Sequence, residues 1–119
     1  MMDSGDRQLL LTTAWLFARH GQDARARALC AARVEADPAD GVSAAAYADL
    51  LLAAGDAGRA LAVLAAASFP PSLRRAEALL ETRALQLLGR KEDAALRWTR
   101  YVQGAKGPRR AWFGDGARN

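Results

Sequence analysis

Small and large apolar positions alternate along this chain with the three-to-four-residue spacing of helices that bury one face. The helical stretches themselves recur on a longer period. Gly21, Gly55 and Gly89 stand 34 residues apart. Five positions after each comes an alanine: Ala26, Ala60 and Ala94. Seven positions before each glycine sit the small residues Ala14, Ala48 and Thr82. Four positions before it sit the large apolar residues Phe17, Leu51 and Leu85. Nine positions after it come Cys30, Leu64 and Trp98. Chance rarely sets so many residue types on one period, and an ordinary helical bundle has no need of it.

Each recurrent position has a physical reason. A glycine that ends a helix adopts positive φ at little cost, which lets the chain turn back. Asp56 follows Gly55 and is placed to cap the next helix by accepting backbone N–H groups. The small residue before the glycine and the alanine after it let the two helices approach closely. Pro38 closes the first unit and Pro70-Pro71 the second, since proline cannot continue a helix. First helices are predicted over about 7–20, 41–54 and 73–88, and second helices over about 22–36, 57–68 and 91–103. This is the layout of the tetratricopeptide repeat, a helix pair of 34 residues. The expected fold is all-α: a tetratricopeptide-like solenoid of three antiparallel helix pairs in a right-handed superhelix. The units cover about 7–40, 41–72 and 73–106 within residues 1–103, and 104–119 form a tail. One departure is plain: the tryptophan usual early in the first helix is replaced by Leu10, Ala44 and Ala78.

Composition agrees with helix. Hydrophobic residues make up 51% of the 119 positions, and Ile, the bulkiest β-branched residue, is absent. The net charge of +4 is uneven. Residues 1–103 carry thirteen basic and twelve acidic side chains, whereas 104–119 carry Lys106, Arg109, Arg110 and Arg118 against Asp115. The basic excess is therefore a property of the tail, and it gives little reason to expect a nucleic-acid partner. Trp112 and Phe113 make that tail richer in aromatics than a disordered segment normally is. Cys30 stands alone, so no internal disulfide is expected, and a reducing, cytoplasmic setting is the default. Acid near the first residues and the short Leu9-Leu10-Leu11 run fit neither a signal peptide nor a membrane span.

Candidate chemistry is sparse, and no enzyme activity is expected. A hydrolase needs a nucleophile, a base and a group to orient the base. The chain has one histidine, His20, at the end of the first helix, where a cation suits the helix dipole. Cys30 falls on a core-facing repeat position and reads as a small hydrophobe. No metal-ligand spacing and no Gly-rich phosphate loop occurs, so neither metal nor cofactor is expected. Glu77, Glu81, Glu92 and Asp93 read as solvated helix faces and first-turn acids.

A stack of helix pairs lines its concave side with the first helices. Counting in the repeat frame places Leu11, Ala45 and Leu79 in one row, Trp15, Asp49 and Arg83 in the next, and Ala18, Leu52 and Gln86 in a third. Val42 joins them at the start of the second pair. The expected groove (Leu11, Trp15, Val42, Asp49, Leu52, Leu79 and Arg83) has an apolar floor with one acid and one base, and suits an apolar segment of another protein. The alternative is that three repeats make no groove and Trp15 packs on its neighbours. A second candidate surface is the open end, with Trp98, Tyr101, Trp112 and Phe113, which either the tail or a partner would cover.

The opening Leu9-Leu10-Leu11, Trp15-Leu16, Gly21 and Ala26, with the ending Trp98-Thr-Arg-Tyr101-Val102-Gln103, resembles the YscY family of small cytoplasmic chaperones of bacterial type III secretion. The resemblance covers roughly residues 8–103. It implies a heterodimer with a small secreted YscX-like protein, engagement of the cytoplasmic ring of the export gate, and no insertion into the membrane. The alternatives are a YscG-type chaperone that shields needle subunits and a repeat adaptor unconnected with secretion.

Overall fold

The computed structural model describes residues 4–104. They form six α-helices: α1 (Ser4–Arg19), α2 (Asp23–Ala36), α3 (Gly41–Ala53), α4 (Ala57–Ala66), α5 (Arg74–Leu87) and α6 (Lys91–Val102). A single 3-10 turn, Pro71–Leu73, leads into α5, with proline in its first turn where a missing N–H costs nothing. Trp112 and Phe113 lie outside the described residues. Among the described residues no strand forms, and an isolated parallel bridge joins Asp40 to Ser68.

The period seen in the sequence reappears in the backbone. Gly21, Gly55 and Gly89 have φ of 76°, 84° and 78°. The N–H of the residue after each glycine donates to the carbonyl of Phe17, Leu51 or Leu85 at 2.8, 2.8 and 2.9 Å. The glycine N–H itself donates to Ala18, Leu52 or Gln86 at 3.1, 3.0 and 3.0 Å. This pair of bonds is the Schellman motif, which satisfies carbonyls that the helix end would orphan. The residues that follow, Gln22, Asp56 and Arg90, share nearly one conformation, with ψ of 62°, 67° and 68°. The carboxylate of Asp56 accepts from the Arg59 N–H at 3.4 Å, a long cap bond.

Each turn closes a helical hairpin: α1 packs on α2, α3 on α4, and α5 on α6. The hairpins follow one another through α2 on α3 and α4 on α5, with further contacts of α3 to α1 and α5. Ala26, Ala60 and Ala94 are all buried, as the expected close approach requires. Ala14 and Ala48 are buried too, while Thr82 is half-buried. Its hydroxyl is sealed from water and has no hydrogen-bond partner among the described residues.

Two features of the junction between hairpins were not anticipated. Ser68 donates its backbone N–H to the Ala39 carbonyl at 2.9 Å. A Cβ on Gly41 would stand 2.5 Å from the Ser68 carbonyl oxygen, so the approach depends on a residue with no side chain. Asp40, one residue earlier, caps α3 by accepting from the Val42 N–H at 3.1 Å.

Glu77 and Glu81 correct the sequence reading. They are not on a solvated face: Glu77 is buried and Glu81 is 0% exposed. The helix α5 lies among α3, α4 and α6, so its polar face is covered as well as its apolar one. Arg97 of α6 meets Glu81 there in a charged hydrogen bond. Glu92 is exposed as expected, and Asp93 forms a 2.7 Å ion pair with Arg90.

Candidate functional site

Residues spaced by three, four and seven share a helix face. On α1 these are Leu11 and Trp15, on α3 Val42, Ala45 and Asp49, and on α5 Leu79 and Arg83. The structure gathers the first of them into one recess of about 420 Å³, lined by Arg7, Gln8, Leu11, Thr12, Trp15 and Val42. Trp15 stands 55% exposed at its edge, and Leu9 and Leu16 on the same helix are exposed as well. The Arg19 guanidinium lies 4.8 Å from the Trp15 ring centroid, a cation–π contact that steadies the indole without hiding it.

The remaining groove residues separate. Asp49 and Arg83 pair with each other at 3.7 Å across α3 and α5, both more than half exposed. Such a pair stabilises by less than about 1 kcal/mol, so both charges remain available to a partner. Leu79 is exposed one helical turn from Arg83. Leu52 does not line a groove: it is 3% exposed and belongs to the core. The reason is its place on the middle first helix, which has α1 on one side and α5 on the other. Ala18 in the same row is half-buried and Gln86 exposed, because their helices have a first-helix neighbour on one side among the described residues.

One wall of the recess is held by a charge cluster that sequence reasoning missed. Asp40 accepts from Arg7 at 3.3 Å and from the Ser43 hydroxyl at 2.7 Å, and it forms an ion pair with Arg33 at 3.1 Å. These partners come from α1, α2 and α3, so one carboxylate ties three helices together. Burial pushes the Asp40 carboxyl up. The Ser43 hydroxyl and backbone hydrogen bonds and the Arg7 and Arg33 charges outweigh that, and it sits below the usual carboxylate range. Arg33 also reaches Asp37 at 3.6 Å. The available signal was Asp40-Gly41 just before an apolar helical run, the place of an N-cap.

At the far end, the Trp98 and Tyr101 rings meet in a tilted pair with centroids 5.2 Å apart. Both are half-buried, beside the exposed Leu96 and Val102. Burial pushes the Cys30 thiol up to about 11, so at neutral pH the free thiol is protonated. Among the described residues no group of three or more His, Cys, Asp or Glu side chains is placed to hold a metal ion. No described helix is long and apolar enough to cross a membrane.

No family model matches the chain, and no curated protein or solved structure matches it.

Proposed function

We propose that this protein is a binding scaffold for another protein, with the recess between α1 and α3 as its primary site. On this reading the three hairpins are tetratricopeptide-type units stacked in a right-handed superhelix, with the first helices on the concave side. In its specific form, which rests on the family resemblance, the protein is a cytoplasmic YscY-type chaperone. It pairs with a small secreted YscX-like protein and carries it to the cytoplasmic ring of the export gate.

One observation carries the reading: an indole more than half exposed in a recess that Leu11 and Val42 also line. Tryptophan offers a large apolar area with few rotamers to lose, and for that reason it dominates interfaces where it occurs. Exposed Leu79 and the Asp49–Arg83 pair extend the surface along α5. Together they fit an amphipathic helix laid across the first helices, apolar side inward, with the two charges setting its direction.

The test is co-purification with a YscX-like protein expressed alongside. Trp15→Ala is expected to weaken the complex about thirtyfold, the loss of roughly 2 kcal/mol typical of an interface anchor. Its helical circular dichroism should stay unchanged, because the side chain is mostly outside the core. A complex of undiminished affinity removes the recess as the site, and a Trp15→Ala chain that loses its helicity assigns the residue to the fold.

A further inference from the structure

A second pattern, in charge, runs along the first helices. On α1, Arg7, Leu11, Trp15 and Arg19 follow one another at intervals of four, so they form one ridge. On α5, Arg75, Leu79 and Arg83 do the same. Each ridge sets apolar side chains between two arginines. The corresponding ridge of α3 runs Gly41, Ala45 and Asp49 and has no cation. The three ridges lie side by side: Val42 meets the α1 ridge in the recess, and Asp49 meets Arg83 across α3 and α5. Four arginines thus stand against one aspartate.

The acids nearby are already matched. Asp49 is paired with Arg83, and Asp40 beside the recess is buried against Arg7 and Arg33. Arg19 and Arg75 are exposed, and no ion pair holds either of them among the described residues. Arg19 lies over the Trp15 ring, so its charge is kept beside the recess. Arg75 is the second residue of α5, where the helix dipole disfavours a cation. Helix stability therefore gives no reason for an arginine there.

We propose, on the premise that the recess is the binding site, that its occupant is an acidic amphipathic helix with carboxylates at both ends of its apolar stripe. The stripe covers Leu11, Trp15 and Leu79. The carboxylates at one end meet Arg7 and Arg19, and those at the other end meet Arg75 and Arg83. Crossing from α1 to α5 takes two helix spacings of about 8–10 Å, or roughly 20 Å. A helix rises about 1.5 Å per residue, so about fourteen residues reach across. Opposite charge then selects the partner and speeds encounter, while the indole holds it in place. A nucleic-acid strand fits this surface less well, because Leu11, Val42 and Leu79 stand among the arginines and offer a phosphate nothing.

Fluorescence anisotropy of labelled helical peptides of that length, titrated with the full chain, tests the charge assignment. Three peptides share a leucine stripe and carry Glu, Gln or Lys at both ends. The Glu peptide should bind about tenfold more tightly than the Lys peptide at low salt, with the Gln peptide between them. The gap should close at about 1 M salt. Combining Arg19→Glu with Arg75→Glu should reverse the order, and because both side chains are exposed the helical circular dichroism should be unchanged. The milder pair Arg19→Gln and Arg75→Gln should narrow the gap, and it keeps the test valid if the reversed pair does not fold. Equal binding of the three peptides, lost in each case on Trp15→Ala, keeps the recess and overturns the acidic partner. Binding of none of them overturns both. A single-stranded oligothymidylate that binds the same arginines more tightly than the Glu peptide overturns the proposal in favour of nucleic acid.

Discussion

The first and third hairpins share a turn to within a few degrees and a tenth or two of an ångström, yet their interiors are built differently. Gly21 and Gly89 have the same hand, the same pair of hydrogen bonds and the same buried alanine five residues on. Behind those turns the first hairpin sets Thr13, Leu29 and Cys30 at the positions where the third sets Glu81, Arg97 and Trp98. Backbone period and core chemistry are therefore separable. The period is held by small residues and by a left-handed glycine. Whatever shares the volume of the core is free to be a leucine, a thiol or an ion pair, provided that its polar atoms find partners.

The interior of the third hairpin should be the more sensitive to a single truncation. Glu81 is wholly enclosed, and Arg97 is its charged partner from the facing helix. Arg97→Ala is expected to destabilise the protein by about 3 kcal/mol, because it removes a charged partner from a wholly enclosed carboxylate. Leu29→Ala at the same repeat position of the first hairpin removes only partly buried apolar surface and should cost less. Urea unfolding of both variants measures the difference. Equal losses would mean that the ion pair is only volume.

What the sequence revealed and what it hid follow from the same separation. The turns were readable because Gly, Ala and the large residue before the glycine each answer a local steric need, repeated three times. The fate of Glu77 and Glu81 was not readable, because a glutamate is solvated or enclosed according to which helix packs over it. For Glu81 that depends on an arginine sixteen residues away on the next helix. Leu52 failed for the converse reason. Its row faces outward on an end helix and inward on a middle one, and position within the stack is not a local property. Leu11, Trp15 and Val42 could be placed together from the repeat frame, whereas Arg7, which lines the recess beside them, meets Asp40 across 33 residues. The Gly41–Ser68 approach was missed because a glycine at a helix start gives no sign of what will lie against it.

If the three turns are one device, they should fail alike. A Cβ at Gly21, Gly55 or Gly89 meets nothing within 4 Å, so no clash distinguishes them and only the left-handed backbone penalises a side chain. Alanine at each is expected to cost about 1 kcal/mol, the penalty for an L-residue in that conformation. Thermal midpoints of the three single variants should fall together. A turn whose alanine variant unfolds much earlier than the other two would be carrying some tertiary contact besides its own hydrogen bonds.

The smallest effect is the one that acid removes, and it sharpens the contrast from the side of the first two hairpins. Their junction rests on Asp40, held ionised by Arg7 of α1, Arg33 of α2 and Ser43 of α3, with Asp37 as a second carboxylate near Arg33. Its carboxyl titrates below the ordinary range in the folded protein, so the unfolded chain takes up the proton first as pH falls. The stabilisation is fully present above the unfolded value, about 3.9 for an aspartate, and is lost as pH drops through that value towards the folded one. Asp40→Asn keeps a side chain that can cap α3 but removes the charge. The stability gap between the natural chain and Asp40→Asn should therefore be constant from pH 7 to about 5 and shrink below about 4. Chemical denaturation at a series of pH values follows the gap. A gap that stays level into acid would show that Asp40 acts there only as a hydrogen-bond acceptor, and that the three helices owe their arrangement to packing and not to the shared carboxylate.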